Sequence, residues 1–293
     1  MLNSQTLFLR VSLLFAITIA SALFGSFLCM GLEQLFSHIG VATIQNPWYD
    51  YLRISTQTIS TFGIPVLFWK LSYSNFSISI KPLKTNCNGA LLGLALLAWL
   101  LSMLPVNGLW EINKNIPFHE SLASLESALH HIQSANDAFL KYLLVNRGIM
   151  HTIALIIVVG ALPAIFEELF FRGILQQLFI KASGKIWLSI FLASTIFSLF
   201  HMEFFALIPR ILLGVILGVA YVVSQRLWLP ILIHFVNNVV GVVAQLYLSE
   251  NMLESFSAFG ITKLEWILTL FLFAILNWLL VFMIQKFNPR ESR

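Results

Sequence analysis

Hydrophobic residues are concentrated in eight segments of the 293-residue chain, and polar stretches separate these segments. Most of them are close to the roughly 20 apolar residues that an α-helix needs to cross a bilayer. The segments cover residues 7–32, 54–71, 88–104, 149–171, 186–201, 208–225, 229–248 and 266–287. This pattern predicts an all-α, polytopic membrane protein, a bundle of eight transmembrane helices that forms a single domain over residues 1–293.

The longest polar interval, residues 105–147, contains an amphipathic portion from about residue 120 to residue 145. Its apolar residues recur every three or four positions, which predicts a helix that lies on the membrane surface or over the bundle. His119, His130 and His131 lie in this interval, but no two of them share a helix face at the spacing of three or four. We interpret them as solvated residues.

Composition supports a membrane protein. The chain is 58% hydrophobic and only 10% charged, with a mean hydropathy of +0.86, whereas soluble domains carry about 25% charged residues. The net charge of +4 is modest, and the basic residues lie mostly at segment ends. We therefore interpret them as a topology signal and expect no nucleic-acid partner. The two cysteines, Cys29 and Cys87, support neither a disulfide framework nor a thiolate metal site.

The distribution of lysine and arginine predicts the orientation. Eight membrane crossings place both termini on one side, and that side receives eleven of the 17 cationic residues, Arg172 included. Cytoplasmic loops are enriched in these residues. We therefore predict cytoplasmic N- and C-termini in the cell (inner) membrane.

The fourth segment ends with two adjacent glutamates and an arginine, Glu167, Glu168 and Arg172. A carboxylate at the bilayer centre costs about 2.5 to 3.5 kcal/mol, and such residues usually face the protein interior or a water-filled cavity. Glu168 and Arg172 are four residues apart on one helix face and can form an ion pair. Glu167, turned by about 100°, would point into a cavity as a free base. A solvated helix end is the alternative.

Two further segments carry polar residues at helical spacing. Phe197 and His201 share a face of the fifth segment, and His234 and Asn238 share a face of the seventh. A carboxylate helped by an imidazole can take a proton from water, and neutral donors can stabilise the oxyanion that forms when an amide is hydrolysed. No H-E-x-x-H motif is present, and the only aspartates lie outside the apolar segments.

A metal-dependent version of this chemistry is the competing hypothesis. Glu167, His201 and His234 could supply the three protein ligands of a catalytic zinc site. A glutamate that binds zinc cannot also be the free base, so Glu168 would then have to leave Arg172. We favour the metal-free version, which keeps that ion pair intact, and predict no certain cofactor.

The polar residues form three motifs that follow one another at intervals of about thirty residues. They are Glu167-Glu168-x-x-x-Arg172, Phe197-x-x-x-His201 and His234-x-x-x-Asn238. Together they resemble the CAAX prenyl protease and bacteriocin-processing (self-immunity) family of intramembrane proteases. The resemblance is close over about 161–241, and we place the catalytic core at about 149–248.

The resemblance implies eight helices around a polar cavity open towards the cytoplasm. It implies that Glu167 and His201 activate water, that His234 and Asn238 line the oxyanion site, and that Glu168, Arg172 and Phe197 are supporting residues. The substrate would be a membrane-associated protein or peptide, because eukaryotic relatives cleave prenylated CAAX proteins. A binding or immunity protein without cleavage and an ion or proton transporter are the alternatives.

Overall fold

Helices are the regular elements of the part of the chain that the computed structural model describes, residues 4–40, 45–73, 88–116, 118–145, 147–248 and 263–287. Twelve α-helices lie in these ranges: α1 (Ser4–His38), α2 (Pro47–Thr58), α3 (Ile64–Ser72), α4 (Asn88–Lys114), α5 (Ala123–Leu143), α6 (Ile149–Leu155), α7 (Leu162–Phe170), α8 (Gln176–Ser183), α9 (Ile186–Phe200), α10 (Leu207–Ser224), α11 (Trp228–Tyr247) and α12 (Lys263–Phe287). The all-α prediction is confirmed for these residues.

Within the described ranges, four helical stretches are long and apolar enough to cross a membrane: Gln5–His38, Ile149–Ser183, Phe204–Ser224 and Trp228–Tyr247. The bent pair Gly89–Met103 and Gly108–Lys114 makes a fifth if it is counted as one span. The chain is therefore a multi-pass membrane protein. All eight predicted segments lie on helices, and the count of eight membrane crossings stays a prediction.

The third segment is longer than predicted. Helix α4 continues through Pro105 to Lys114 and bends by 45° between Met103 and Gly108. Proline lacks the N–H of an intrahelical hydrogen bond, so it kinks this helix without ending it. The first ten residues of the predicted polar interval are therefore helical.

The fourth segment is also longer than residues 149–171. Helices α6, α7 and α8 form one stretch, Ile149–Ser183, which two π-helical stretches interrupt, Ile156–Ala161 and Phe171–Leu175. Such π-helical turns add a residue to the local hydrogen-bonded ring and often occur at functional sites. The extension places Glu167 near the middle of a long helix and not at its end.

The bundle has two distinct ends. At the first, which we call the Arg10 end, the Arg10 guanidinium lies over the Tyr73 ring at 5.0 Å, so the start of α1 and the end of α3 are neighbours. At the opposite end, the start of α6 meets α2 through a Tyr51 to His151 hydrogen bond. Thr152 there lies 3.0 Å from the Tyr247 hydroxyl near the end of α11.

Helix α5 lies across this second end, which we call the cavity end. The His130 ring stacks on Phe205 with centroids 4.5 Å apart, and the Arg53 guanidinium lies 5.1 Å from the centre of the Phe139 ring. These contacts join α5 to the α9–α10 connection on one side and to α2 on the other. The predicted amphipathic helix over the bundle is confirmed.

Candidate active site

Glu168 and Arg172 form the predicted ion pair. Arg172 Nη1 lies 2.6 Å from Glu168 Oε1, and both side chains are buried. Arg172 Nη2 donates to the Gly214 carbonyl at 3.0 Å, and the guanidinium lies 4.7 Å from the centre of the Phe197 ring. The charge count placed Arg172 at a segment end on the predicted cytoplasmic side, whereas the ion pair holds its guanidinium inside the bundle.

Two glycines of α10 make this burial possible. A Cβ atom at Gly214 would lie 2.8 Å from Ser194 Cβ, and one at Gly218 would lie 2.8 Å from Ile190 Cγ2, so only glycine allows α9 to pack this closely. Gln176 Nε2 donates to the Gly218 carbonyl at 3.1 Å. The glycine spacing therefore serves helix packing and gives two buried polar side chains access to backbone acceptors.

His234 lies between the two glutamates. Its Nδ1 donates to Glu168 Oε1 at 3.0 Å, and its Nε2 lies 3.9 Å from Glu167 Oε2. His201 approaches the same atom from α9, with Nε2 also 3.9 Å from Glu167 Oε2. Its Nδ1 donates to the Phe197 carbonyl at 2.8 Å. Three helices thus direct two imidazoles at one carboxylate oxygen.

The hydrogen bonds of the imidazoles determine which atoms face Glu167. Carbonyl and carboxylate oxygens only accept, so Nδ1 carries the hydrogen in both His201 and His234, and each neutral ring presents Nε2 as an acceptor. Glu167 Oε2 is buried and has no hydrogen-bond partner among the described residues. Three acceptors therefore converge without a donor between them, an arrangement suited to the two hydrogens of a water molecule.

Asn238 lies on the same face of α11, one turn beyond His234. Its Nδ2 donates to the Val159 carbonyl at 3.3 Å. Proline has no N–H, so Pro163 cannot donate to the carbonyl four residues earlier, that of Val159, which lies in the π-helical stretch Ile156–Ala161. The Asn238 side chain donates to this carbonyl and keeps one further amide hydrogen.

A cavity of about 750 Å³ begins at Glu167 and extends towards the cavity end of the bundle. His201, His234 and Asn238 line it, as do residues of α5 and of the last turns of α11. Within the described residues, all four predicted catalytic side chains border this one space. The three supporting residues, Glu168, Arg172 and Phe197, pack behind it.

A comparison with family models covers this part of the chain. The family described as type II CAAX prenyl endopeptidase Rce1-like matches residues 149–240. This match supports the CAAX protease family for that segment. The resemblance predicted from the three motifs is thereby confirmed, and all seven predicted site residues fall within the Rce1-like segment. No curated protein and no solved structure matches the chain significantly.

The cavity wall carries charged residues that were not predicted from the sequence. Glu203 and Arg210 form an ion pair beside His201, and Asp137 and Lys141 of α5 border the cavity from outside the Rce1-like segment. In the charge count Arg210 is only one of the six cationic residues on the opposite side, and α5 was predicted only as an amphipathic helix on the membrane surface or over the bundle. Their place in the cavity depends on how helices distant in sequence pack together.

Two residues of α4, which lies outside the Rce1-like segment, form hydrogen bonds with that segment. Asn113 is buried, and its side chain donates to the Phe204 carbonyl at 2.8 Å and accepts from the Ile208 N–H at 2.9 Å. These bonds fix the connection that follows His201. Trp99 Nε1 donates to Asn237 Oδ1 at 3.1 Å. In the sequence Asn113 is one of several polar residues of the interval 105–147, so nothing there distinguishes it.

The predicted zinc site needs three protein ligands placed around one point. Among the described residues no three histidine, cysteine, aspartate or glutamate side chains lie together in an arrangement that would hold a metal ion. His201 and His234 each lie 3.9 Å from Glu167 Oε2. Both the metal-free and the zinc hypotheses stay predictions, and we derive no step through a metal.

The direction of the cavity conflicts with one pair of predictions. The cavity opens beside α5, at the end of the bundle opposite to the start of α1. Cytoplasmic termini and a cavity open towards the cytoplasm therefore cannot both hold. The sequence allowed both because the position of His201 and α5 relative to the Arg10 end depends on helix packing.

Proposed function

We propose that this protein is an intramembrane endopeptidase of the CAAX prenyl protease type, acting on a membrane-associated protein or peptide in the cell membrane. The observation that carries the proposal is the convergence of two imidazole Nε2 atoms on Oε2 of Glu167, each at 3.9 Å. The Rce1-like match over residues 149–240 supports a peptidase.

The proposed reaction begins with a water molecule beside Glu167. Glu167 takes one proton as general base, and His201 Nε2 accepts a hydrogen bond from the other hydrogen. The water oxygen attacks the carbonyl carbon of the scissile peptide bond. The proton then passes from Glu167 to the amide nitrogen, the C–N bond breaks, and a carboxylic acid and an amine leave.

Asn238 is the proposed oxyanion donor. Its amide has two hydrogens, of which one binds the Val159 carbonyl and the other remains for the oxygen of the tetrahedral intermediate. The backbone contact fixes the amide group before the substrate binds, so little reorganisation is needed during the reaction. His234 lines the same site and can donate to this oxygen only when Nε2 carries a hydrogen.

Glu168, Arg172 and Phe197 are the proposed positioning residues. Glu168 Oε1 holds the His234 ring through Nδ1, and Arg172 compensates the charge of that carboxylate. The Phe197 ring contacts the rings of both histidines, with centroids 4.8 Å from His201 and 5.8 Å from His234. These contacts fix the direction in which each Nε2 points.

A comparison of protein termini in cell membranes tests the proposal. Cells that produce the wild-type protein, Glu167→Gln or the control Glu33→Gln would be compared for new amino and carboxyl termini in membrane-associated proteins. Glu33 is an exposed carboxylate on α1, outside the cavity. We expect the same new termini with wild type and Glu33→Gln and none with Glu167→Gln. Identical sets in all three would overturn the proposal and favour a binding protein or a transporter.

A further inference from the structure

Helix α5 faces the bundle with a stripe of side chains that is only half-buried. The stripe recurs every three or four positions and consists of Glu126, Leu129, Gln133, Asn136, Phe139 and Tyr142. Three of these six side chains are charged or carry an amide, and such groups gain little from leaving water. Leu143 is the only buried residue of α5, a helix whose residues are all described. Most of α5 therefore lies against the bundle without a dry apolar interface.

The last turn of α5 is an exception, because it is anchored. Leu143 is buried in a cluster with residues of α6 and α11, and its carbonyl accepts from His151 Nε2 at 3.1 Å. Arg147 Nη2 donates to the Tyr142 carbonyl at 2.9 Å. These bonds satisfy carbonyl groups that the end of a helix leaves without intrahelical donors. The anchor thus joins the last turn of α5 to the bundle.

Ring contacts hold the first half of α5. The His130 ring stacks on Phe205, and just before α5 the Phe118 ring lies 5.3 Å from the Phe204 ring. Both partners belong to the α9–α10 connection, which follows His201. Because this half of α5 contributes no buried side chain of its own, separating it from the bundle costs little more than the ring contacts.

Helix α5 also forms one wall of the catalytic cavity. Asp137, Leu140 and Lys141 border the cavity, and so does Leu144 directly after the helix. These residues lie between the anchored last turn and the His130 contact. A movement of α5 away from the α9–α10 connection would therefore widen the entrance to the cavity.

The connection between α5 and α6 can absorb such a movement. It ends at Gly148, whose backbone has φ 96° and ψ 178°, a conformation that residues with a side chain disfavour. A Cβ atom at Gly148 would meet nothing within 4 Å, so glycine is needed there for the backbone and not for space. Hinges are typically a few loop or element-terminal residues that absorb changes in φ and ψ.

We propose that α5 is a lid on the cavity. The helix rotates about its anchored last turn, and its first half leaves the α9–α10 connection to admit a large ligand. This structure shows the closed position, in which the His130 to Phe205 stack holds the lid. Because few contacts separate the two positions, the open one is a populated minor state. The proposal concerns access to the cavity and is independent of the reaction inside it.

Labelling of a cysteine inside the cavity tests the lid. Cys29→Ala and Cys87→Ala remove the native thiols, and Gly241→Cys places one thiol on the cavity wall, where a Cβ atom meets nothing within 4 Å. The full chain in detergent is treated with a small maleimide or with a maleimide that carries a bulky polyethylene glycol chain. In this parent, His130→Ala removes the stack, and His131→Ala, at the exposed neighbouring position, is the matched control.

His130→Ala should raise the rate of labelling by the bulky reagent about 2- to 10-fold, the range expected when one ring contact that favours the closed position is lost. The His131→Ala control should react at the rate of the parent. The small reagent should label all three proteins at one rate, because it enters the closed cavity. Equal rates with the bulky reagent, or the same increase in both histidine variants, would overturn the lid.

Distances between spin labels give a second measurement. In the cysteine-free chain, labels are attached at Ala128→Cys on α5 and at Lys185→Cys just before α9, two exposed positions. Pulsed electron paramagnetic resonance should show two distance populations, and His130→Ala should enlarge the minor one. A single distance that His130→Ala leaves unchanged would contradict the proposal. Neither measurement involves hydrolysis, so the lid and the peptidase function can fail separately.

Discussion

The two adjacent glutamates divide the centre of the bundle into a packed region and a cavity region. Glu168 lies in the packed region, where its Oε1 accepts from both Arg172 and His234 and its side chain is fully buried. Glu167 lies in the cavity region, where no cationic side chain pairs with it among the described residues. Oε2 of each glutamate lacks a hydrogen-bond partner among the described residues. The difference lies in charge pairing and in access to the cavity.

This comparison shows how a membrane protein separates structural from reactive carboxylates. A buried charge is tolerated when a partner compensates it, and removal of one partner leaves a strongly destabilising charge. An uncompensated carboxylate among imidazoles in a cavity is an arrangement typical of functional sites. One residue of sequence separation, a turn of about 100° on a helix, determines which environment each glutamate has.

The largest effect is expected from changing the two glutamates separately. Glu167→Gln should lower peptide hydrolysis by about 10² to 10⁴-fold, because it removes the base and keeps the shape of the side chain. Its thermal unfolding should remain near that of wild type, whereas Glu168→Gln should unfold at a lower temperature. Initial rates on an identified substrate measure the loss of activity, and thermal unfolding in detergent measures the stability of each variant. Full activity in Glu167→Gln would contradict this division of roles.

Arg172→Ala should lower the free energy of unfolding by about 3 to 5 kcal/mol, because it leaves the buried Glu168 carboxylate without its cation. Arg172→Lys should lose less, since it keeps the charge but not the fork that reaches both Glu168 and Gly214. Chemical unfolding in detergent measures these losses. Lys185→Ala, at an exposed site, is the control and should change stability by less than about 0.5 kcal/mol. An Arg172→Ala protein as stable as this control would show that the packed region does not depend on the ion pair.

Gly214→Ala should lower stability by about 1 to 3 kcal/mol, because the added methyl group meets Ser194 and forces α9 and α10 apart. Gly31→Ala is the matched control, since a Cβ atom there meets nothing within 4 Å. Unfolding of both variants under the same conditions measures the difference. Equal stability of the two would mean that the close helix approach contributes nothing.

The Asn238 contact should contribute about 1 kcal/mol to stability, the usual value of one hydrogen bond. Asn238→Ala should lose this amount in the wild-type background and less in a Pro163→Ala background, because alanine at position 163 has an N–H that can donate to the Val159 carbonyl. A double-mutant cycle measures the coupling. Additive losses would show that the side chain and the proline do not act on the same carbonyl.

The smallest effect is expected from removal of metal. Purified protein stripped with a chelator and checked for residual metal should keep its activity, since the proposed base is a free carboxylate. Added zinc should not raise the rate. Complete loss that stoichiometric zinc restores would instead make His201 and His234 ligands and would move the base away from Glu167.

The sequence by itself determined the class of protein and the relations within each helix. Long apolar segments require a membrane, because the chain has too few charged residues for a soluble surface. The ion pair of Glu168 with Arg172 and the shared face of His234 with Asn238 depend only on helical periodicity. The three motifs also identified the family of residues 149–240.

Only the tertiary structure decided how these helices meet. The placement of His234 between Glu167 and Glu168, the pairing of Asn238 with the Val159 carbonyl and the position of α5 each join residues far apart in the chain. The spacing of residues along one helix carries no information on the bends, π-helical turns and glycine contacts that orient one helix against another. For the same reason the sequence could place charges at segment ends but not the cavity at one end of the bundle.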